Sequence, residues 1–251
     1  MRDIAIEAAI KAGEIAKKYF ELTTLERALK DDRSLVTIAD KESEEAIVKC
    51  ILGKFPDHGI VGEEGAAENP DAEYQWVIDP IDGTSNFING IPIFGASIAL
   101  AKGGEVILGV IYNPVTDSMY VAEKGKGATY NGKTIQVSEQ EPKDGMVTFG
   151  FGAGLGTLRD EMLLAANAHF RSRRVLGSTA IELCFVARGG IEGTIIKALK
   201  PWDYAAGALI VTEAGGTVTD HQGNPWKLDS KDLLASNGVA HDALLALVEG
   251  R

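Results

Sequence analysis

An α/β (α+β) fold of two lobes is predicted by three observations. The chain has 251 residues, 45% of them apolar and 24% charged, which allows a sizeable core and is ordinary for a folded globular protein. Its first half carries two amphipathic helix patterns and then strand signals separated by glycine and Asn-Gly turns. Its second half alternates strand and helix signals, the pattern of helices laid on a sheet. Pro142 to Gly145 is the expected boundary, giving an N-terminal α+β lobe over 1–142 and a C-terminal α/β lobe over 143–251.

Each element follows from spacing. Ile4, Ala8, Ala12, Ile15 and Tyr19 recur at helical period, predicting a helix over roughly 3–22. Leu35-Val36-Thr37 reads as a short strand after the polar loop Lys30 to Ser34. Asp40 stands where an N-cap would stand, ahead of a helix running to about Phe55 with Ala46, Ile47, Cys50 and Ile51 as its buried stripe. Ile60-Val61 is a short strand closed by Gly62-Glu63-Glu64-Gly65. Strands are expected at 96–101, 106–112 and 119–122, and Asn131-Gly132 marks a type I′ hairpin. The second half reads as strand 146–149, helix 158–170, strand 174–176, helix 179–187, strand 193–196, helix 204–214, strand 217–220 and a last helix from His241.

The stretch from Trp76 to Phe87 concentrates the chemistry. Trp76-Val77-Ile78 reads as a buried strand, and Pro80 is expected to stop its ladder by removing a donor. Asp82-Gly83-Thr84-Ser85 then looks like a helix entry whose first amides have no intrahelical partner. Two carboxylates beside free amides suit a hard divalent cation and an anion. The plain alternative is a helix cap at Asp82 and a turn at Asp79, with no ion.

The formal net charge of −11 argues against a nucleic-acid or membrane-surface binder, which would need a basic field. It suits an anionic substrate only if bound cations invert the local charge. Cys50 and Cys184 are far apart and lack metal or redox spacing, so reduced thiols in a cytoplasmic protein are expected. The N-terminus has the pattern of neither a signal peptide nor a membrane span. The histidines His58, His169, His221 and His241 are scattered and read as structural, and no Ser-His-Asp or Cys-His arrangement is evident. A third acidic position, Asp203 in Pro201-Trp202-Asp203-Tyr204, lies in the first turn of a helix, where a dipole-stabilising cap is the plain alternative. Taken together, Glu63-Glu64, Asp79, Asp82 and Asp203 supply enough carboxylate oxygens for two or three magnesium ions.

Gly62-Glu63-Glu64, the run Asp79-Pro80-Ile81-Asp82-Gly83-Thr84-Ser85-Asn86-Phe87, and Trp202-Asp203-Tyr204-Ala205-Ala206-Gly207 resemble the inositol monophosphatase family. These are magnesium-dependent, lithium-sensitive phosphatases in a superfamily that includes fructose-1,6-bisphosphatases. The resemblance covers nearly the whole chain, including Leu35-Val36-Thr37 before Asp40, Gly125-Lys126-Gly127-Ala128 and Thr212-Glu213-Ala214-Gly215-Gly216. It implies a layered α/β/α/β/α sandwich, a homodimer, and an active site between the lobes. By position, Glu63, Asp79 and the Ile81 carbonyl would hold a first magnesium, or manganese, and Asp79, Asp82 and Asp203 a second. A weaker third would lie near Glu63 and Glu64. Gly83, Thr84 and Ser85, with Asp82 and Asp203, would contact the substrate. Water activated at the metal near Glu63 would be oriented by Thr84, whose hydroxyl matches one the family pairs with the position of Asp40. Lys30, Gly177, Ser178, Ile196 and Lys197 are further candidate site positions.

The residue types agree with that chemistry. A phosphomonoester dianion repels hydroxide, so its hydrolysis needs neutralised phosphate charge, a nucleophile prepared near neutral pH and a stabilised leaving oxygen. The expected substrate is a small phosphorylated polyol or sugar. At Ile196, or Lys197 if the register slips by one, inositol-hydrolysing relatives carry a glutamate that contacts an inositol hydroxyl, so inositol 1-phosphate is weakened as the substrate. Fructose 1,6-bisphosphate, histidinol phosphate and 3′-phosphoadenosine compounds are the alternatives. Lys197 and Lys200 either meet a second substrate anion or are solvated lysines. Arg171, Arg173 and Arg174 either serve a dimer partner or form a surface patch. Ser34 stands where the family often carries an acid or amide, and Ser85 where a threonine is common. A regulatory binding protein on the same fold, as bacterial relatives that contact the transcription machinery suggest, is the reading from another class.

Overall fold

Small side chains dominate the buried stripe of helix α1 (Arg2–Phe20): Ala5, Ala8, Ala9, Ala12 and Ala16 face inward and let it lie close to its neighbours. The computed structural model describes residues 1–20, 27–29, 35–152, 157–198 and 200–249; Lys30 and Ser34 lie outside the described residues. Antiparallel β1 (Arg27–Leu29) and β2 (Leu35–Thr37) lead into α2 (Ile38–Leu52). Thr37, not Asp40, is the N-cap. Its Oγ1 accepts the Ala39 amide at 3.1 Å, while Asp40 sits at the third helical position and its Oδ2 accepts the Thr37 amide at 2.8 Å. Thr followed three residues on by an acid is the reciprocal capping pattern, which assigning the cap to the acid itself overlooks.

Among the described residues the first sheet has eight strands. They are β3 (Gly59–Gly62), β4 (Ala67–Glu68), β5 (Tyr74–Asp82), then, after the short helix α3 (Thr84–Ile88), β6 (Gly95–Lys102), β7 (Glu105–Asn113), β8 (Ser118–Glu123), β9 (Ala128–Tyr130) and β10 (Lys133–Thr134). Their order is β10-β9-β8-β7-β6-β5-β3-β4, antiparallel except for the β3–β5 pair. Asn131 and Gly132 both have positive φ between β9 and β10, as the Asn-Gly pair predicts. Pro80 does not end β5. The strand runs on to Asp82, and its register on β6 shifts between Asp79, opposite Ser97, and Asp82, opposite Gly95. That irregularity takes Pro80 out of the regular ladder, where a missing amide is tolerated.

A 3-10 turn at Pro142–Asp144 leads to β11 (Met146–Phe151). There follow α4 (Thr157–Ala165), β12 (Ser172–Arg174), α5 (Thr179–Ala187), β13 (Gly193–Lys197), α6 (Pro201–Glu213), β14 (Thr217–Thr219), β15 (Asp232–Ser236) and α7 (His241–Val248). The second sheet has the order β12-β11-β13-β15-β14 among the described residues. β15 lacks any β-branched or aromatic residue, which is why its sequence gives no strand signal. β12 ends before Val175. The Leu176 amide and carbonyl serve Glu182 and Asn86 instead of a ladder.

The buried side chains define the layers. α1 and α2 share one cluster with the outer face of the first sheet. α5 and α6 lie between the sheets in the largest cluster, with Val77, Ile111 and Tyr120 on one side and Ile196, Leu233 and Ala235 on the other. α4 and α7 cover the far face of the second sheet through Phe149, Met162, Ile195 and Leu244. The result is the expected α/β/α/β/α sandwich. No described helix is long and apolar enough to cross a membrane.

Candidate active site

The site forms where the end of β5 meets the starts of α5 and α6. Asp79 and Asp82 come from β5, and Asp203 from the first turn of α6 after Pro201 at its opening position. One carboxylate oxygen from each of the three lies within 4.8 Å of the others. The Glu63 amide donates to the Ile78 carbonyl at 3.1 Å, which ties the turn after β3 beside Asp79, and the Glu63 charge is among the causes that raise the Asp79 pKa. Asp79, Asp82 and Asp203 thus converge from two segments, and a third segment carries Glu63 beside Asp79.

Asp79, Asp82 and Asp203 each have a defined support. Asp79 Oδ1 accepts the Ile81 amide at 2.9 Å. Asp82 Oδ2 accepts the Ser178 hydroxyl and, at 2.8 Å, the Ala180 amide at the start of α5. Asp203 Oδ2 accepts the Lys200 amide at 2.8 Å, closing the first turn of α6. Ser97, the cross-strand partner of Asp79, donates to the Trp202 carbonyl at 3.1 Å and so ties the first sheet to the start of α6. Burial, then the charges of Glu63, Asp82 and Asp203, push the Asp79 carboxyl well above the usual range. Burial likewise pushes Asp82 up to about 7, although its bonds from Ser178 and Ala180 pull the other way. Carboxylates that burial and mutual repulsion disfavour are the donor set a hard divalent cation stabilises, so these residues fit such a cation.

The turn after β5 completes the arrangement. Gly83 has φ of 95°, and a Cβ there would come within 2.9 Å of the Ile93 carbonyl and 3.0 Å of Ser178, so glycine is required twice over. Gly83, not Asp82, is the N-cap of α3, because Asp82 is still in the strand with its carboxylate turned to α5. Thr84 Oγ1 lies 3.1 Å from the Ile81 carbonyl and 3.4 Å from Asp40 Oδ1. Ser85 is exposed beside it. Asn86 bridges the Ile93 and Leu176 carbonyls at 2.7 Å each, which locks the turn to the loop holding Gly177.

Other candidate positions are placed differently. Ser178 is fully buried with its hydroxyl given to Asp82, and it also caps α5. The Ile196 side chain is buried in the layer between the sheets, and its carbonyl accepts the His221 Nε2 proton at 3.0 Å. Lys197 faces a cavity of about 810 Å³ with His221, Asp232 and Asp242. Neither that cavity nor one of about 650 Å³ beside Trp226 is lined by any of the four acids, so donor chemistry rather than volume marks this site. Sequence reasoning missed Ser97 and Ala180, whose contacts reach about a hundred residues along the chain and leave no local signal.

Known proteins resemble this chain over nearly its whole length. The model of the inositol monophosphatase family matches residues 1–251. The chain belongs to the inositol monophosphatase family. A relative from Aquifex aeolicus, described as fructose-1,6-bisphosphatase/inositol-1-monophosphatase, is 39% identical over 98% of this chain and 94% of its own. The Nus factor SuhB of Pasteurella multocida is 42% identical over 94% of this chain and 91% of its own. Among solved structures, the extragenic suppressor protein suhB of Bartonella henselae superposes with a TM-score of 0.93 at 33% identity, covering 99% of this chain and 98% of that one. Membership in the inositol monophosphatase family supports a phosphatase; the substrate is a separate question.

Proposed function

We propose that this chain is a magnesium-dependent phosphomonoesterase that hydrolyses a small phosphorylated polyol or sugar by direct attack of water. The observation that carries the reading is the convergence of Asp79, Asp82 and Asp203 within 4.8 Å in a chain matched end to end by a phosphatase family. Glu63, Asp79 and the Ile81 carbonyl would hold one cation and Asp79, Asp82 and Asp203 another, with Glu64 near a weaker third. Bound there, magnesium or manganese neutralises phosphate charge, acidifies water and stabilises the leaving oxygen.

The chain's own groups do the rest. The Gly83 and Thr84 amides at the start of α3 are donors suited to phosphate oxygens. Thr84 has one hydroxyl proton and two acceptors in reach. Donated to Asp40, that proton leaves the Thr84 oxygen to accept a hydrogen bond from water and orient it for attack. Ser178 and Ala180 keep Asp82 from turning away, and the tie from Ser97 to Trp202 keeps Asp203 beside β5.

Two facts set the choice of substrates to test. An apolar Ile196 supplies no acceptor for a polyol hydroxyl, and the Aquifex relative's description names both a bisphosphatase and an inositol monophosphatase. Fructose 1,6-bisphosphate therefore belongs beside inositol 1-phosphate in the test. Phosphate release is measured from these two, histidinol phosphate and 3′-phosphoadenosine 5′-phosphate, with magnesium and with chelator. Magnesium-dependent release from at least one is expected, and none from any, with the fold intact, would refute the reading. That second outcome would favour a binding role, which the description of the Pasteurella relative as a Nus factor suggests.

A further inference from the structure

Two carboxylates on α2 are buried although they belong to a helix that otherwise packs through Ala39, Ile47 and Ile51. One is Asp40, bonded to Thr37 and beside Thr84. The other is Glu44, one turn on and therefore on the same helix face. Glu44 has no part in the machinery assembled so far. Its Oε2 accepts the Glu64 amide at 2.9 Å and its Oε1 the Ala66 amide at 2.9 Å. Both amides belong to the turn between β3 and β4, which the Gly62 amide closes by donating to the Ala66 carbonyl at 2.8 Å. The Glu44 carboxylate fills that turn. A Cβ on Gly62 would come within 2.2 Å of Glu44 Oε2, so the glycine before Glu63 makes room for the carboxylate.

We propose that Glu44 is a positioning residue for the metal centre: by taking both amides it fixes the turn from which the Glu63 carboxylate faces Asp79. The inference rests on the metal-dependent reading above. A carboxylate accepting two backbone amides makes two charge-assisted bonds with one defined geometry, and its burial keeps water from competing for them. α2 is in turn anchored to α1 by the Ser43 hydroxyl on the Ala12 carbonyl at 3.3 Å. One helix thus sets both halves of the centre, Thr84 through Asp40 and Glu63 through Glu44. Groups that orient metal ligands typically change metal affinity about tenfold to a hundredfold when removed.

The test compares wild type with Glu44→Gln and Glu44→Ala. Glutamine keeps the size but sets an amide donor against one of the two N–H groups. Binding of Mn²⁺ is followed by electron paramagnetic resonance, with circular dichroism as the check on fold. Roughly tenfold or greater weakening is expected in Glu44→Gln and at least as much in Glu44→Ala. The magnesium concentration for half-maximal phosphate release should rise in parallel, with substrate KM at saturating magnesium unchanged. A lowered melting temperature with Mn²⁺ affinity within twofold of wild type would make Glu44 a purely structural residue and overturn the proposal. Amide exchange in the wild type needs no variant: the Glu64 and Ala66 amides should be protected, and fast exchange at both would also overturn it. A wild type that binds Mn²⁺ but releases no phosphate would sink the phosphatase reading and leave the role of Glu44 standing.

Discussion

Glu182 shows how burial sets chemistry one residue at a time. It sits in α5 with Oε1 accepting the Leu176 amide at 2.9 Å and Oε2 the Thr194 hydroxyl at 3.2 Å. Burial outweighs those bonds and pushes its carboxyl up to about 7. The folded state therefore holds this proton to higher pH than the unfolded chain does. Stability linked to it is complete below the unfolded value and is lost as pH rises through about 7. Glu182→Gln removes that dependence, so the unfolding free energy of the variant relative to wild type should climb between pH 5 and pH 8, by on the order of 3 kcal/mol at most. A difference that stays flat with pH would refute the assignment. His241 has the opposite sign: its ring nitrogens meet the Thr219 and Ser236 hydroxyls, burial lowers its pKa, and stability tied to it falls as pH drops below its ordinary value. Its structural role was expected from the scatter of the histidines, whereas the position of Glu182 beside Thr194 was not legible, since nothing local tells a buried helical glutamate from a solvated one.

At the scale of elements, caps and turns do double duty. Thr37 starts α2 and also holds Asp40, the acid beside Thr84. Thr37→Ala should cost about 1–2 kcal/mol in urea unfolding and lower turnover as well, because Asp40 loses its hydroxyl donor; unchanged turnover would show that Asp40 needs no such support. The start of α3 is stricter. Gly83→Ala forces a left-handed residue and drives a Cβ toward the Ile93 carbonyl, so at least ~1–2 kcal/mol of stability should be lost from the backbone alone, together with most phosphatase activity. Helices α5 and α7, the β9–β10 hairpin and the Asp82-to-Thr84 turn were all readable in the sequence, because period, Gly and Asn-Gly signals are local. β15 and the end of β12 were not, since the first depends on neighbouring strands and the second on the side chains of Asn86 and Glu182.

For the whole molecule, the acidic cluster is a junction. β5 of the first sheet gives Asp79 and Asp82, and the middle layer gives Asp203, Ser178 and the Ala180 amide. Cations bound there would tie layers together and relieve the repulsion among the acids. Magnesium at about a hundredfold its dissociation constant should add roughly 2.7 kcal/mol, or roughly 5–10 °C in melting temperature for a chain of this size. Asp82→Asn should abolish most of that increment and most activity while remaining folded. An equal magnesium-dependent rise in wild type and variant would show that Asp82 is not a ligand.

Residue identity and order were enough for the fold class, most elements and the family, and for singling out Asp79, Asp82 and Asp203, which the fold brings together, because hydrophobic period, turn chemistry and a run such as Asp79-Pro80-Ile81-Asp82-Gly83-Thr84 are short-range properties. Which groups hold those acids in place was not contained there. Glu44 on the 62–66 turn, Ser97 on Trp202, and Ser178 with Ala180 on Asp82 join residues about 20 to 105 positions apart. A carboxylate or hydroxyl acquires its partner only when packed layers exclude water and bring distant backbone amides and carbonyls within 3 Å or so.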